Sequence, residues 1–480
     1  MKLLTLLKSL HPEEFKDFEK FLQSPFFKAS DKYLQFFRCL CKHYPSFDLE
    51  KEDLEAAYRR CFGQQSLNDS KLYNLMSGLS KQIEQYLVVR MVWSPEDNQP
   101  PIYDHLLVKS LGVRNMGSYF RKEARRLIGE TMERPKKTMD DYLLLSQAHQ
   151  EVYFNPDTSK SEEEPLHLKL AAEYLDLHYC MLKLQYAAEM KTRERIFSIR
   201  YETPLLDAVM EHSAMTEWVD AHPLLGINHH LVHLYQNGVD EPGFRELMAL
   251  FIEKHTVLSK VDQSVLLPHL INCGVSLLSR EHAVEAELLS LYKLAIQANV
   301  LLDGNRITQV TFINIVNLAG MCKEFDWAFA FVEQFSPYLE ESKRPPIVDL
   351  AKAGLYYNQG QLEEAQTWLK PETFQIPFLD VIARALLIRI AFDRYVLYGR
   401  DYEFLSSQIH AFDRYVQTLG LATEKKAAYL NWIKFVRKMV SLKFELVEVP
   451  ESKKDALRIS LKQLQPVRLM KWLEQAIERL

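Results

Sequence analysis

The stretch "AGLYYNQGQLEEAQTWLKP", residues 353–371, reads as two short helices joined by a turn centred on Gly360. Glycine reaches the left-handed backbone angles that end a helix, so Gly360 punctuates a run of helix formers. Ala353 and Ala365, one on each side of the turn, are small enough to let the helices approach, and Tyr356 and Leu362 fill the space between them. Such a pair buries its apolar side only by leaning on a neighbouring pair. Whether the hairpin recurs therefore decides the fold.

Composition favours recurrence. Glycine makes up 15 of 480 residues, about 3% against an average near 7%, while Leu, Glu, Lys, Ala and Gln are plentiful, which predicts helix almost throughout. Near the start, Glu13 and Glu14 follow Pro12, where a first helical turn tolerates proline and favours acids, and Phe15, Phe18, Phe21 and Leu22 then share one face. Pro25 stops that helix and Ser30 is placed to cap the next, with Phe26 and Phe27 expected to close a small core. Residues 67–89 carry the strongest pattern, a stripe of Leu72, Leu75, Met76, Leu79, Ile83, Tyr86 and Leu87 at helical spacing. The polar run 94–104, with three prolines, interrupts the rhythm. We expect an N-terminal helical module over 1–93, a helical-hairpin region over 105–300, and helical repeats with C-terminal helices over 301–480.

The stretch 351–369 resembles a tetratricopeptide repeat, with Ala353, Tyr356, Gly360, Leu362, Ala365 and Leu369 in the small, aromatic, turn and large positions of one copy near 346–378. Upstream, Phe312, Ala319, Phe325, Ala328 and Val332 fall on the same template, without the turn glycine. Downstream, Val396, Tyr402, Leu405 and Ile409 fit less well, with Gly399 one place early. The steps from Ala328 to Ala365 and from Ala365 to Leu405 are 37 and 40 residues, against a family period near 34. The resemblance covers 311–418 and implies an all-α fold, an α-solenoid of antiparallel hairpins whose first helices line a groove for a partner's peptide or helix. By that analogy Asn317, Met321, Tyr357, Asn358, Arg394 and Tyr398 are the partner-binding candidates.

Signals for chemistry are sparse. No GxxxxGK[ST], GxGxxG or GxSxG occurs, which removes the common phosphate cradles and the nucleophile elbow. His229 and His233 stand four apart, as helical metal ligands do, but His230 occupies the place where a metalloprotease carries its glutamate base. Cys39 and His43 are also four apart, with Cys41 turned away if the helix continues. Arg121, Lys122, Arg125, Arg126, Arg134, Lys136 and Lys137 form a basic stretch diluted by Glu123, Glu130 and Glu133. That stretch keeps open a DNA-binding regulator with a helical-repeat sensor, and the histidines keep open a metal-dependent enzyme.

The net charge of −5 creates no strong field of either sign, so neither nucleic acid nor membrane is expected as a partner. Six cysteines without a CxxC point to a reducing compartment, the opening residues lack a signal-peptide pattern, and no apolar run reaches the about 18 residues of a membrane span. The expectation is a cytoplasmic, non-enzymatic interaction scaffold that binds a protein or peptide and needs no cofactor or metal.

Overall fold

The structure, a computed structural model, describes residues 2–27, 29–63, 67–93, 101–156, 164–197, 199–302, 304–369, 374, 376–420, 423–446 and 448–480. Residues 94–100 of the proline-containing run, residues 157–163, and residues 370–373, which include the end of the opening stretch, lie outside them. Among the described residues there are helices and no β-strand, so the chain is all-α. Two compact units divide it: residues 1–134 with 140–175, and residues 135–139 with 176–480.

In the first unit, α1 (Lys2–Ser9), α2 (Glu14–Gln23), α3 (Asp31–Leu40), α4 (Lys51–Phe62) and α5 (Asp69–Val92) surround an aromatic core. Its centre is Phe18, whose ring meets Phe37 at 4.9 Å and Tyr86 at 5.3 Å in edge contacts. Each fully buried ring contributes about 1.5–3 kcal/mol by leaving water. The stripe on α5 buries Leu72, Leu75, Leu79, Ile83 and Tyr86. Ser30 caps α3 by accepting the Lys32 N–H, and Asn68 caps α5 by accepting that of Lys71 at 2.9 Å. Of the two rings after Pro25, Phe27 packs on Phe21 at 4.1 Å, whereas Phe26 is 84% exposed. Two consecutive rings in a turn point apart, and one core has room for one of them. A separate cluster around Val108, Phe120, Leu127 and Ala148 joins α6 (Pro101–Val113), α7 (Gly117–Met132) and α8 (Met139–Phe154).

The helix α9 (Glu164–Phe197) enters the second unit at Asp176. There follow α10 (Leu206–Met215), α11 (Trp218–Ala221), α12 (Pro223–Asn237), α13 (Glu241–Lys254), α14 (Lys260–Leu278), α15 (Glu285–Gln297), α16 (Gln309–Met321), α17 (Phe325–Phe335), α18 (Arg344–Asn358) and α19 (Leu362–Trp368). The chain ends with α20 (Pro377–Tyr398), α21 (Tyr402–Thr418), α22 (Thr423–Glu445), α23 (Glu451–Gln463) and α24 (Met470–Arg479). From α14 onward packing is serial: α14 meets α15, α15 meets α16, α16 meets both α17 and α18, and α18 meets both α19 and α20.

One turn recurs in this series. At the end of α18, the Gly360 N–H donates to Tyr357 O and the Gln361 N–H to Tyr356 O, a pattern that needs φ of +79° at Gly360. The end of α16 repeats it, with Lys323 at φ +60° and the Glu324 N–H donating to Ala319 O. It occurs again after α14, with Glu281 at φ +66°, and after α15, with Asn299 at φ +59°. Small residues set the helix spacing between these turns. A Cβ added at Gly320 of α16 would stand 2.5 Å from Asn358 Nδ2, and one at Gly354 of α18 would stand 3.3 Å from Asn317 Oδ1.

The last helix departs from serial order. α24 packs against α20 and α23, burying Trp472, Leu473, Ala476 and Ile477 in a core shared with Phe392, Phe412 and Trp432.

Candidate binding cavity

A cavity of about 1440 Å3 opens in the second unit, walled by α14, α16, α18, α20 and α24. Each helix presents one stripe to it. On α16 the stripe is Asn314, Asn317, Leu318 and Met321, and on α18 it is Leu350, Gly354, Tyr357 and Asn358. On α20 it runs through Phe378, Ile382, Ala385, Arg389, Asp393 and Leu397, three or four residues apart, as one face of a helix requires. The final helix adds Lys471, Trp472, Gln475 and Arg479.

Amides mark the α16–α18 side. Asn314 bonds the hydroxyl of Tyr292, a group that burial pushes up to about 12. Asn317 and Asn358 lie beside the glycine of the opposing helix, and their side-chain amides have no hydrogen-bond partner among the described residues. An amide offers a donor and an acceptor on one rigid plane, which is also what a peptide bond offers in return.

A polar chain ties the other side together. Trp472 Nε1–H donates to Tyr357 Oη at 2.7 Å, and that hydroxyl donates to Asp393 Oδ2 at 2.7 Å. Arg479 Nη1 stands 2.8 Å from Asp393 Oδ1, close enough for an ion pair but not aligned as a hydrogen bond. Burial pushes the Asp393 carboxyl above its ordinary range, opposed by Arg479, Tyr357 and Arg389. Burial likewise pushes Tyr357 up to about 12, so its hydroxyl keeps its proton and remains a donor. The Arg389 guanidinium lies over the Tyr357 ring, 4.6 Å from its centre. At the far end, Lys471 pairs with Glu285 at 2.5 Å and Arg468 donates to Ser279 O at 3.2 Å, fastening the start of α24 to the α14–α15 region.

Four of the six residues singled out by the repeat resemblance, Asn317, Met321, Tyr357 and Asn358, line this cavity. Arg394 does not: it bonds Glu363 at 2.6 Å and Asp401 at 2.7 Å, tying α20 to α19 and to its own C-terminal turn. Tyr398 is 56% exposed and lies off the lining as well. Both miss because the α20 stripe passes through Asp393 and Leu397, and one further residue rotates a side chain by about 100°. Arg389 and Asp393 were readable from that periodicity once α20 was known to be long. Trp472 and Arg479 carry no local signal, since their partners lie more than eighty residues away.

The other expected clusters separate. His229 Nε2 lies 3.2 Å from Met210 O, while His233 Nε2 faces Asn237 Nδ2 at 3.0 Å. Among the described residues no group of three His, Cys, Asp or Glu side chains gathers as a metal site would require. The helix α3 ends at Leu40, so Cys41 and His43 fall in a following 3-10 turn and helical spacing does not apply to them. Burial pushes the Cys41 thiol up to about 12, and all six cysteines are free thiols. In the basic stretch, Arg126 is held by Asp104 at 2.5 Å, Glu123 at 2.8 Å and Glu130 at 2.9 Å, and Arg134 bonds Asp141. No described helix is long and apolar enough to cross a membrane.

No family model, no curated protein and no solved structure matches the chain.

Proposed function

We propose that this protein is a non-enzymatic scaffold of the tetratricopeptide-like kind, an α-solenoid that holds an extended peptide of a partner protein in the cavity between α14, α16, α18, α20 and α24. The observation that carries this reading is the pair Asn317 and Asn358, two unpartnered amides on adjacent helices facing one cavity. Each can give and take a hydrogen bond with the backbone of a passing chain, at a net gain of about 0.5–1.5 kcal/mol per bond, whatever the side chains of that chain. The size agrees, because about 1440 Å3 exceeds the roughly 300–1,000 Å3 of small-molecule sites. The serial helix pairs and the repeated turn supply the solenoid part of the reading, and the free thiols suit a reducing, cytoplasmic setting.

The test is selection of a random decapeptide display library on the full chain. Peptides should be enriched over an empty support, and those enriched should bind the double variant Asn317→Ala, Asn358→Ala at least about tenfold more weakly than the parent. No enrichment, or affinities that ignore the two asparagines, would refute the reading.

A further inference from the structure

One face of α22 carries more positive charge than the fold uses. Lys434, Arg437, Lys438 and Ser441 recur along it at intervals of three or four, and with Leu442, Glu445 and the first part of α23 they wall a cleft of about 630 Å3. This cleft shares no lining residue with the peptide cavity. Arg437 Nη2 donates to Asp413 Oδ2 of α21 at 3.0 Å, while Arg437 Nε is buried with no acceptor among the described residues. Lys438 Nζ donates at 3.1 Å to a neutral group, Ser460 Oγ. Lys434 makes no hydrogen bond or ion pair among the described residues and acts on Asp413 only through space. Burial works against the Asp413 carboxylate, yet Arg437, Gln417 and Lys434 hold it below its ordinary range, so it counts as one full negative charge. On the rest of the lining Lys453 and Glu445 offset each other. Three cations on α22 thus face one carboxylate, an excess of two.

Lys434 and Lys438, four apart on one helix, repel each other, and a concave site that gathers such charges draws anions into it. An excess of two suits a phosphate monoester, which brings about −1.5 to −2 charges at neutral pH and three acceptor oxygens, whereas a carboxylate or a sulfate ester brings a single charge. The donors match: the two lysines supply point charges, Arg437 a planar guanidinium, and Ser441 a hydroxyl. The rest of the cleft is left for an organic body. Its volume of about 630 Å3 lies within the roughly 300–1,000 Å3 of small-molecule sites, and Leu442, Ala456 and the buried Leu457 give it apolar surface. We propose that the α22–α23 cleft binds a small phosphate monoester, its phosphate on Lys434, Arg437 and Lys438 and its body against Leu442 and Leu457. This site goes beyond the peptide reading and stands or falls apart from it.

Calorimetric titration of the full chain at low salt tests it with defined probes. Phenyl phosphate should bind, and phenyl sulfate, the same ring with one negative charge, should bind at least about tenfold more weakly. The double variant Lys434→Gln, Lys438→Gln should lose at least about tenfold in phenyl phosphate affinity, with its urea midpoint unchanged because neither lysine has an ion pair to lose. Lys169→Gln, which removes an exposed cation of the first unit, should bind as the parent does. No heat from phenyl phosphate, equal affinity for phenyl sulfate, or a double variant that binds like the parent would each overturn the proposal.

Two further probes tell the source of the phosphate. AMP carries its monoester on a free small molecule, and N-acetylphosphoserine amide carries it on the side chain of a peptide unit. Phenyl phosphate and AMP should both bind more tightly than N-acetylphosphoserine amide, because only they bring a ring to the apolar part of the cleft. The reverse order would overturn the small-molecule assignment and give the cleft to a phosphorylated side chain of a partner.

Discussion

Lys323 and Gly360 occupy the same place in successive hairpins, at φ +60° and +79°, yet only one is a glycine. A left-handed conformation costs a residue with a Cβ about 1–2 kcal/mol, of which glycine's greater freedom in the unfolded chain returns part. Lys323→Gly is therefore expected to raise stability by about 0.5–1 kcal/mol and Gly360→Lys to lower it by about as much, read as opposite shifts in the urea midpoint with unchanged slope. At Gly320 the added methyl meets the end of a flexible side chain, the Asn358 amide at 2.5 Å. Gly320→Ala should thus cost little stability but turn Asn358 away, and peptide affinity should drop while the urea midpoint stays nearly fixed.

Among the helices, α24 has two tasks on two faces. Leu473, Ala476 and Ile477 are fully buried in the core it shares with α20–α23, and Lys471, Gln475 and Arg479 face the cavity. Leu473→Ala should cost about 2–5 kcal/mol, the usual range for a truncated core leucine, measurable by equilibrium unfolding. Trp472 belongs to both faces, its ring 5.8 Å from Trp432 in the core and its N–H on Tyr357 at the cavity. The α20 helix shows the same division between Phe392 in the core and Arg389 in the wall. Helical periodicity made such stripes legible wherever a helix was long, as on α5, and of the residues the repeat template picked, Asn317, Met321, Tyr357 and Asn358 line the cavity. Arg394 and Tyr398 lie off that lining, because a shift of one residue along a helix turns a side chain to a different face.

Across the molecule, acid acts through histidines held neutral. Burial, helped by the like charge of His167, pushes His149 down to about 4, and burial also lowers His105, His222, His229 and His269. Unfolded, these groups take up a proton near pH 6.5, and folded they do not until lower pH, so the unfolded chain binds more protons in between and stability falls as pH drops from about 6.5 towards 4. For His149 the full loss is on the order of 3 kcal/mol. The melting temperature should decline between pH 7 and pH 5, and His149→Phe, which keeps the ring against Tyr174, should make that decline shallower. A pH-independent melting temperature in the parent would contradict the assignment.

Helix content, the cap at Ser30, the turn at Gly360 and the apolar stripes were all present in the linear order of residues. Each depends on neighbours within a turn or two, where the chain has no choice of partner. The cavity's charged wall was not. Tyr357 and Trp472 are 115 positions apart, and Arg468 reaches across 189 to Ser279. Which of many amphipathic helices returns to pack on α20 depends on the shape of a core that exists only after the chain has folded. That return sets Arg479 on Asp393 beside Arg389.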